Sequence, residues 1–304
     1  MHFLKNISFL LFLYIVVTLF IILFILLPRE PQYIQPSRFH IDVEYNFTLE
    51  EYKNKIHTFY QYIKDHNGFG KAPEGITYAE LTERYTKRSL ELIVPAFLLT
   101  IIISFSIGLL IMKKRISARL EMKTNPFSLL FSLPDFFIFI LVQYVFILVS
   151  RSSGLSFDLF GNDRWFHFIL PSIILSIYPT YYLTKILLTT LTNEIHKDYI
   201  NTAKSKGIHN KKIVNLHILW NSWPSMLGHT FIAYLYLVSS LPIIELLSAY
   251  DGLGYQFIKA IISYDDIRAI AYAIPFISII FITKILLDTF KQIVLPRSEV
   301  HHID

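Results

Sequence analysis

Few residues in this chain have a type and spacing that could do chemistry. Gly68-Phe69-Gly70-Lys71-Ala72 offers the Gly-Lys pair of a phosphate-cradling loop. That loop needs Ser or Thr directly after the lysine and an earlier glycine at a set distance, and neither is present. Gly252-Leu253-Gly254 lacks the third glycine of a dinucleotide fingerprint, and no strand pattern precedes it. There is no His-Glu-x-x-His or Gly-x-Ser-x-Gly run, and the His301-His302 pair is too sparse for a metal site. With no cysteine, disulfides, thiolate metal centres and cysteine nucleophiles are excluded. The expectation is a chain that is not an enzyme and binds no cofactor itself.

What remains to explain is the apolar bulk. The chain of 304 residues is 53% hydrophobic and 17% charged, with a mean hydropathy of +0.46, too apolar for an ordinary soluble domain. The excess of 28 Lys+Arg over 23 Asp+Glu, net +5, matters in a membrane protein through its placement rather than its size. It does not point to nucleic acid. A bilayer core of ~30 Å takes about 20 apolar residues of helix, and six runs of about that length stand out. They are Ile7–Leu27, Leu92–Met112, Phe127–Val149, Phe166–Leu183, Ser225–Ile244 and Ala269–Leu287. The first has no small-residue cleavage site after it and reads as a retained anchor.

Loop charge orients these spans. Lys113, Lys114, Arg115, Arg119 and Lys123 face only Glu121 between spans two and three. Lys197, Lys204, Lys206, Lys211 and Lys212 face Glu194 and Asp198 between four and five. Both loops are therefore placed in the cytoplasm, together with both termini, while the charge-balanced segments 28–87 and 150–165 lie outside. The long 28–87 segment is expected to form a small extracytoplasmic subdomain. Tyr52, Ile56, Phe59, Tyr60 and Ile63 recur at helical spacing behind Thr48 and Glu51, which predicts one amphipathic helix over about 49–64, ended by Asn67-Gly68.

Ionisable groups inside a bilayer are costly and invite a reading as a proton or ion relay. Asp135, Lys185, Glu245, Lys284 and Asp288 all fall near span ends, where a side chain can reach water or headgroups. His229 in span five is read as a hydrogen-bonded packing residue, and His167 is the other polar intruder. No carboxylate falls near the centre of any span, so an ion-coupled secondary carrier, the competing class, finds little support. Prolines 95, 134, 171, 179, 242 and 275 punctuate the spans, and Ser104 with Gly108 forms a small-residue pair suited to close helix approach.

The second basic loop is different in kind. Asp198-Tyr-Ile-Asn-Thr-Ala-Lys-Ser-Lys-Gly-Ile-His-Asn-Lys-Lys-Ile213 reads as a short helix with Tyr199, Ile200 and Ala203 on one side. Gly207 can end it in a left-handed conformation, and a second helix starts near Asn210. Its small apolar face packs either on the chain's own bundle or in a partner's groove, with Lys204 and Lys206 at the rim.

Here the sequence resembles a known family. Asp198-Tyr199, Thr202-Ala203 and Lys206-Gly207-Ile208, followed by His217, Asn221-Ser222 and Pro224, are similar to the EAA loop of binding-protein-dependent ABC importer permeases. The peptide/nickel permeases are the most similar group. The likeness runs on through Glu245, Gly252-Leu253-Gly254, Ile258, Ala260-Ile261, Tyr264-Asp265 and Pro296-Arg297, and upstream through Leu27-Pro28, Gly68-Phe69-Gly70-Lys71 and Ser89-Leu90-Glu91-Leu92. The long segment before span two resembles that of the B-type member of the permease pair. Two departures are Asn201-Thr202, where the loop's name implies Glu and Ala, and Arg29-Glu30, where Gly-Asp is expected.

The resemblance implies an all-α integral membrane fold, a six-helix type I ABC importer transmembrane domain with a small extracytoplasmic insertion between helices 1 and 2. Its parts would be a first transmembrane helix (1–27), the extracytoplasmic subdomain (28–87), a permease core (88–297) with the coupling loop at about 194–217, and a cytoplasmic tail (298–304). Tyr199, Thr202, Ala203, Lys204, Lys206, Gly207 and Ile208 would dock on an ATPase, and Tyr250, Asp251, Gly252, Leu253 and Gly254 would form a gate loop facing a binding protein. The implied partners are a second homologous permease subunit, two ATPase subunits carrying ATP and Mg, a substrate-binding lipoprotein and the bilayer of a bacterial cytoplasmic membrane. The implied cargo is an oligopeptide or dipeptide, with nickel or a metal–chelator complex as the alternative.

Overall fold

The computed structural model describes residues 2–30, 32–37, 40–44, 47–118, 133–154, 158–195, 197–208, 212–213 and 218–294. In chain order the elements are α1 (His2–Ile25), β1 (Gln32–Ser37), β2 (His40–Glu44), α2 (Leu49–Asp65), α3 (Tyr78–Ala118) and α4 (Asp135–Ser153). They continue with α5 (Ile169–Ile195), α6 (Asp198–Ser205), α7 (Leu219–Leu247), α8 (Leu253–Ile262) and α9 (Asp266–Val294). Chain contacts divide into two compact units, residues 1–89 with 251–281, and residues 90–250 with 282–304.

In the first unit, α1 is apolar on every side and leaves Phe9, Phe12, Leu19 and Phe20 exposed, as suits a helix whose backbone bonds are satisfied internally and whose surface meets lipid. Its end is anchored: Ile25 and Leu26 are buried with Ala260, Ala269, Ile270 and Ala273, against Tyr52, Ile56 and Phe59 of α2. The expected amphipathic helix thus partly buries Tyr52, Ile56 and Phe59 of the predicted stripe, while Tyr60 is 65% exposed. The helix begins where Thr48 Oγ1 accepts from the Glu51 N–H at 3.2 Å. It ends where Asn67 turns left-handed, φ 50°, and the Gly68 N–H returns to the Ile63 carbonyl at 2.9 Å. A second cluster joins Ala72, Tyr78 and Leu81 to Leu253, Ala271 and Tyr272.

A feature the sequence reading missed is the antiparallel pairing of β1 with β2, with Gln32 opposite Glu44 and Tyr33 opposite Val43. The alternating Ile41 and Val43 were its signal. The register shifts between Ile34 and Ser37, where Pro36 has no N–H to give to the ladder.

In the second unit, α5 packs most extensively on α7, and α4 lies against both. Ser104 is fully buried, and a Cβ on Gly108 would sit 2.3 Å from Leu187 Cδ2 of α5, so the small pair does permit close approach of α3. Hydroxyl links cross the helices: Ser172 Oγ donates to the Leu92 carbonyl at 3.2 Å and Thr100 Oγ1 to the Ser176 carbonyl at 3.5 Å.

Five described helical segments are long and apolar enough to cross a membrane: Ile7–Ile25, Tyr78–Ile111, Asp135–Ser153, Ser225–Leu247 and Asp266–Ile293. The sixth expected span falls on α5, which is long enough but carries Ser172, Ser176, Thr180 and Thr184, all buried, along one side. A helix enclosed by neighbours does not need an apolar surface. The third span differs from expectation at its start. Pro134 precedes α4 as its N-cap and Asp135 is the first helical residue, while Phe127–Ser132 lie outside the described residues.

Candidate functional site

The turn that carries the expected docking residues is built from the end of α5. Glu194, 7% exposed, accepts from Lys197 Nζ at 2.5 Å and from Tyr199 Oη at 2.7 Å. One carboxylate thereby ties the end of α5 to the start of α6. The Ile200 side chain is fully buried and Ala203 nearly so, in a cluster with Leu187, Leu191, Ile213, Ile218 and Met226. Tyr199 and Ile208 pack at its edge.

The exit from α6 is equally determined. The Lys206 N–H donates to the Thr202 carbonyl at 3.1 Å and the Ile208 N–H to the Ala203 carbonyl at 3.2 Å, with Gly207 left-handed at φ 74°. Such a six-to-one bond around a left-handed residue, with an apolar contact across it, is a Schellman ending. No atom stands within 4 Å of where a Gly207 Cβ would be, so glycine is needed for backbone conformation rather than for space.

The sequence-predicted residues therefore divide. Ala203 faces the chain's own core, and Tyr199 and Ile208 pack at its edge. Thr202, Ser205, Lys206 and Gly207 are exposed. The Lys204 side chain lies outside the described residues, as does the second helix expected near Asn210 apart from Lys212 and Ile213.

The expected gate segment is largely internal. In the second unit Tyr250 is 4% exposed; its N–H donates to the Glu245 carbonyl at 2.9 Å and its hydroxyl to Glu91 Oε2 at 2.6 Å. In the first unit Asp251 accepts from Arg88 at 2.8 Å and from Gln256 Nε2. Gly252 is the N-cap of α8, and the Leu253 N–H donates to Ser89 Oγ at 2.7 Å. Gly252, Leu253 and Gly254 are buried, leaving Asp251 partly exposed.

Of the ionisable groups at span ends, Lys185 is exposed, and Lys284 bonds Asp288 at 2.8 Å while lying 4.9 Å above the Phe231 ring. Glu245 differs from the expectation of a side chain reaching water, because it is fully buried. His229 is the packing residue expected, with its Nδ1 2.9 Å from the Tyr182 hydroxyl. Buried His167 lies 3.4 Å from Asp158. Among the described residues no group of three His, Asp or Glu comes together as a metal site would require.

A family model described as "binding-protein-dependent transport system inner membrane component" matches residues 101–299. The chain belongs to this family. It is a multi-pass, membrane-embedded permease of the all-α type I ABC class. Both the α6 turn and the 250–254 segment lie inside the matched residues, whereas α1 and the 28–87 segment lie before them.

Among curated proteins the permease is similar to the dipeptide transport system permease protein DppB of Lactococcus lactis subsp. cremoris, 30% identical over 147 residues, 47% of this chain and 48% of that protein. It is also similar to DppB of Bacillus subtilis, 24% identical over 73% of this chain and 71% of that one. A third relative is the oligopeptide transport system permease protein AmiC of Streptococcus pneumoniae, 22% identical over 58% of this chain and 35% of that one. The chain spans about half the length of the first of these relatives.

Sequence reasoning passed over two features of this permease. Glu194 entered only as a loop charge, although Lys197 three residues on and Tyr199 five on were its visible partners. The Arg29-Glu30 departure also has a structural use. Arg29 bonds Asp266 at 2.8 Å and Glu30 bonds Lys55 at 2.9 Å, while Lys55 reaches Asp266 at 3.3 Å. Burial alone lowers the Lys55 ammonium, but its hydrogen bonds and charge contacts with Glu30 and Asp266 outweigh that and raise its pKa above the ordinary value.

Proposed function

We propose that this chain is one of two permease subunits of an ATP-driven importer, lining the path for peptides delivered by an extracytoplasmic binding protein. The observation that carries this reading is the α6 turn: a compact, exposed knuckle held by Glu194, an apolar core and a Schellman ending, inside the family-matched residues. A contact that transmits the motion of a separate ATPase must be rigid, because a soft turn would absorb the displacement. Thr202, Ser205, Lys206 and Gly207 are the surface an ATPase would touch, and Tyr199 and Ala203 stiffen it from beneath. ATP and Mg would reside on two such ATPases. In this reading the α6 turn and both termini are cytoplasmic, and the sixth span is α5.

Peptide is the cargo because the relatives named above are dipeptide and oligopeptide permease proteins. The buried Gly252-Leu253-Gly254 segment would act in the gate by fixing the start of α8, with Asp251 as the group available to a binding protein.

Gly207→Val tests the docking surface. A β-branched side chain in a left-handed conformation costs about 1–2 kcal/mol, and the turn has to re-form to avoid it. The expected outcome is normal membrane insertion, loss of ATPase co-purification and loss of peptide uptake in proteoliposomes. Gly207→Asn, which tolerates φ 74°, should keep both. Unchanged uptake in Gly207→Val would remove the docking role. Uptake by the chain alone on a proton or sodium gradient, with no ATP, would replace the whole reading by an ion-coupled carrier.

A further inference from the structure

Asp135 was expected near a membrane surface, close to the start of the span read over 127–149. Its neighbours set it against α7. Its Oδ2 accepts from Ser240 Oγ of α7 at 2.7 Å, and Gln143, further along α4, donates to the carbonyl of Leu247, the last residue of α7, at 2.9 Å. At 1.5 Å per residue Ser240 is roughly 10 Å along α7 from that end, and Tyr178, which shares a cavity with Asp135, is roughly 13 Å along α5 from Ile169. The helix α4 thus begins against α7, and its first residue is a partly buried carboxylate that faces the bundle.

That carboxylate opens on a cavity of about 350 Å³ between α4, α5 and α7, lined by Pro134, Asp135, Tyr178, Tyr236, Ser240 and Ile243 among others. The rings of Tyr178 and Tyr236 meet edge to face at 4.9 Å, and Tyr182, behind the lining, packs 5.3 Å from Tyr236. Among the described residues no cationic side chain pairs with Asp135, and its hydrogen-bond partner is the neutral Ser240 hydroxyl. The first-turn N–H dipoles of α4 favour the anion. A carboxylate beside a cavity lined by two tyrosines has the chemistry of a cation receptor, since a bound cation would supply the counter-charge that an enclosed carboxylate needs. The volume is at the small end of ligand sites and takes an ammonium head with a few carbons rather than a whole peptide.

We propose that this cavity is a subsite in the translocation path that binds a primary ammonium group of the cargo, with the Asp135 carboxylate as its counter-charge and Tyr178 and Tyr236 as its aromatic wall. That the ligand is cargo rests on the peptide-import reading above; the ammonium chemistry does not. The ammonium is either the peptide's α-amino terminus or a lysine side chain.

The test uses the assembly purified intact from the membrane, probed by saturation-transfer NMR with three small esters. Alanine methyl ester carries an α-ammonium, Nα-acetyl-lysine methyl ester an ε-ammonium, and N-acetylalanine methyl ester neither. At least one ammonium ester should bind roughly tenfold better than the neutral one, and which of the two it is identifies the source. Asp135→Asn, which can still accept from Ser240, should abolish that preference, while Asp135→Glu should retain it. Equal binding of charged and neutral esters, or a preference that survives in Asp135→Asn, overturns the subsite. ATP-dependent peptide uptake is measured in parallel. Its absence alongside an Asp135-dependent preference would sink peptide import and leave the subsite standing.

Discussion

The two compact units join distant parts of the chain by different chemistry. In the first unit long-range ion pairs stand beside neutral bonds such as Leu253 N–H to Ser89 Oγ: Arg29 to Asp266, Lys55 to Asp266 and Glu30, Arg88 to Asp251, and Arg268 to Glu74. In the second unit the described ion pairs join near neighbours in sequence, such as Lys197 to Glu194 and Lys284 to Asp288. Its links between separate helices come from neutral donors, Ser172, Thr100 and Gln143 on carbonyls and Ser240 on the Asp135 carboxylate, with Gly108 set against the Leu187 side chain. The difference follows from solvent. Where charges meet water an ion pair is cheap to form and modest in value, whereas between helices in lipid each charge must first be desolvated. A hydroxyl on a carbonyl, or a glycine that lets a neighbour's side chain pack close, achieves the tie without that cost.

If close approach holds the second unit, filling it should be the most damaging single change. Gly108→Leu places carbon where Leu187 already lies, with a Cβ 2.3 Å from Leu187 Cδ2 and 3.0 Å from its Cγ. Overpacking of this kind costs about 1–3 kcal/mol. The expected outcome is a lower thermal midpoint of the detergent-purified protein, partly restored in the double variant Gly108→Leu, Leu187→Ala. A single variant as stable as the wild type would mean that α3 and α5 are held by their hydroxyl bonds instead.

The Gly108 contact was legible because small residues four apart on an apolar helix have one common use. The α2 stripe was legible for a similar reason, since its period and caps are local properties, and so was the left-handed end at Gly207. What escaped was direction. Asp135 lies at the end of its own helix, and only the register of α4 against α7 shows that it faces the bundle. The short helix at 198–205 had a clear apolar face, but whether Ala203 turned inward or toward a partner depended on Ile213, Ile218 and Met226, which arrive from later in the chain. The strand pairing at 32–44 was passed over because the one element expected in the 28–87 segment was the helix over about 49–64, although the alternation was present. In the 250–254 segment the resemblance implied a gate loop facing a binding protein, and nothing local in the sequence showed that Leu253 between the two glycines is buried.

A smaller effect is expected at the ionic centre of the first unit. Lys55→Met removes two contacts at once and should cost about 1 kcal/mol, at the upper end for partly exposed pairs. Its pH dependence separates charge from packing. The folded chain holds the Lys55 proton more tightly than the unfolded chain, whose value is the ordinary 10.5. The stabilisation is therefore complete below that pH and is lost as pH rises through the higher folded value. Wild type should accordingly lose its advantage over Lys55→Met as thermal midpoints are compared upward from pH 9 through this alkaline window. A constant gap would assign the effect to the aliphatic stem of Lys55 against its neighbours.

The least effect is expected at Lys87 and Glu83, which bond at 2.7 Å one helical turn apart. Both side chains are about two-thirds exposed, 69% and 67%, against 22% for Lys55 and 16% for Asp266. Water and salt screen such a pair, and ordering two long side chains offsets most of the attraction. Glu83→Gln should leave the thermal midpoint unchanged at both low and high salt, while Asp266→Asn lowers it at both. The contrast refines the comparison between the units: enclosure, rather than the number of ion pairs, decides which charges hold the first unit together. Equal losses from the two substitutions would show that this unit depends on its overall charge pattern and not on the half-buried cluster around Asp266.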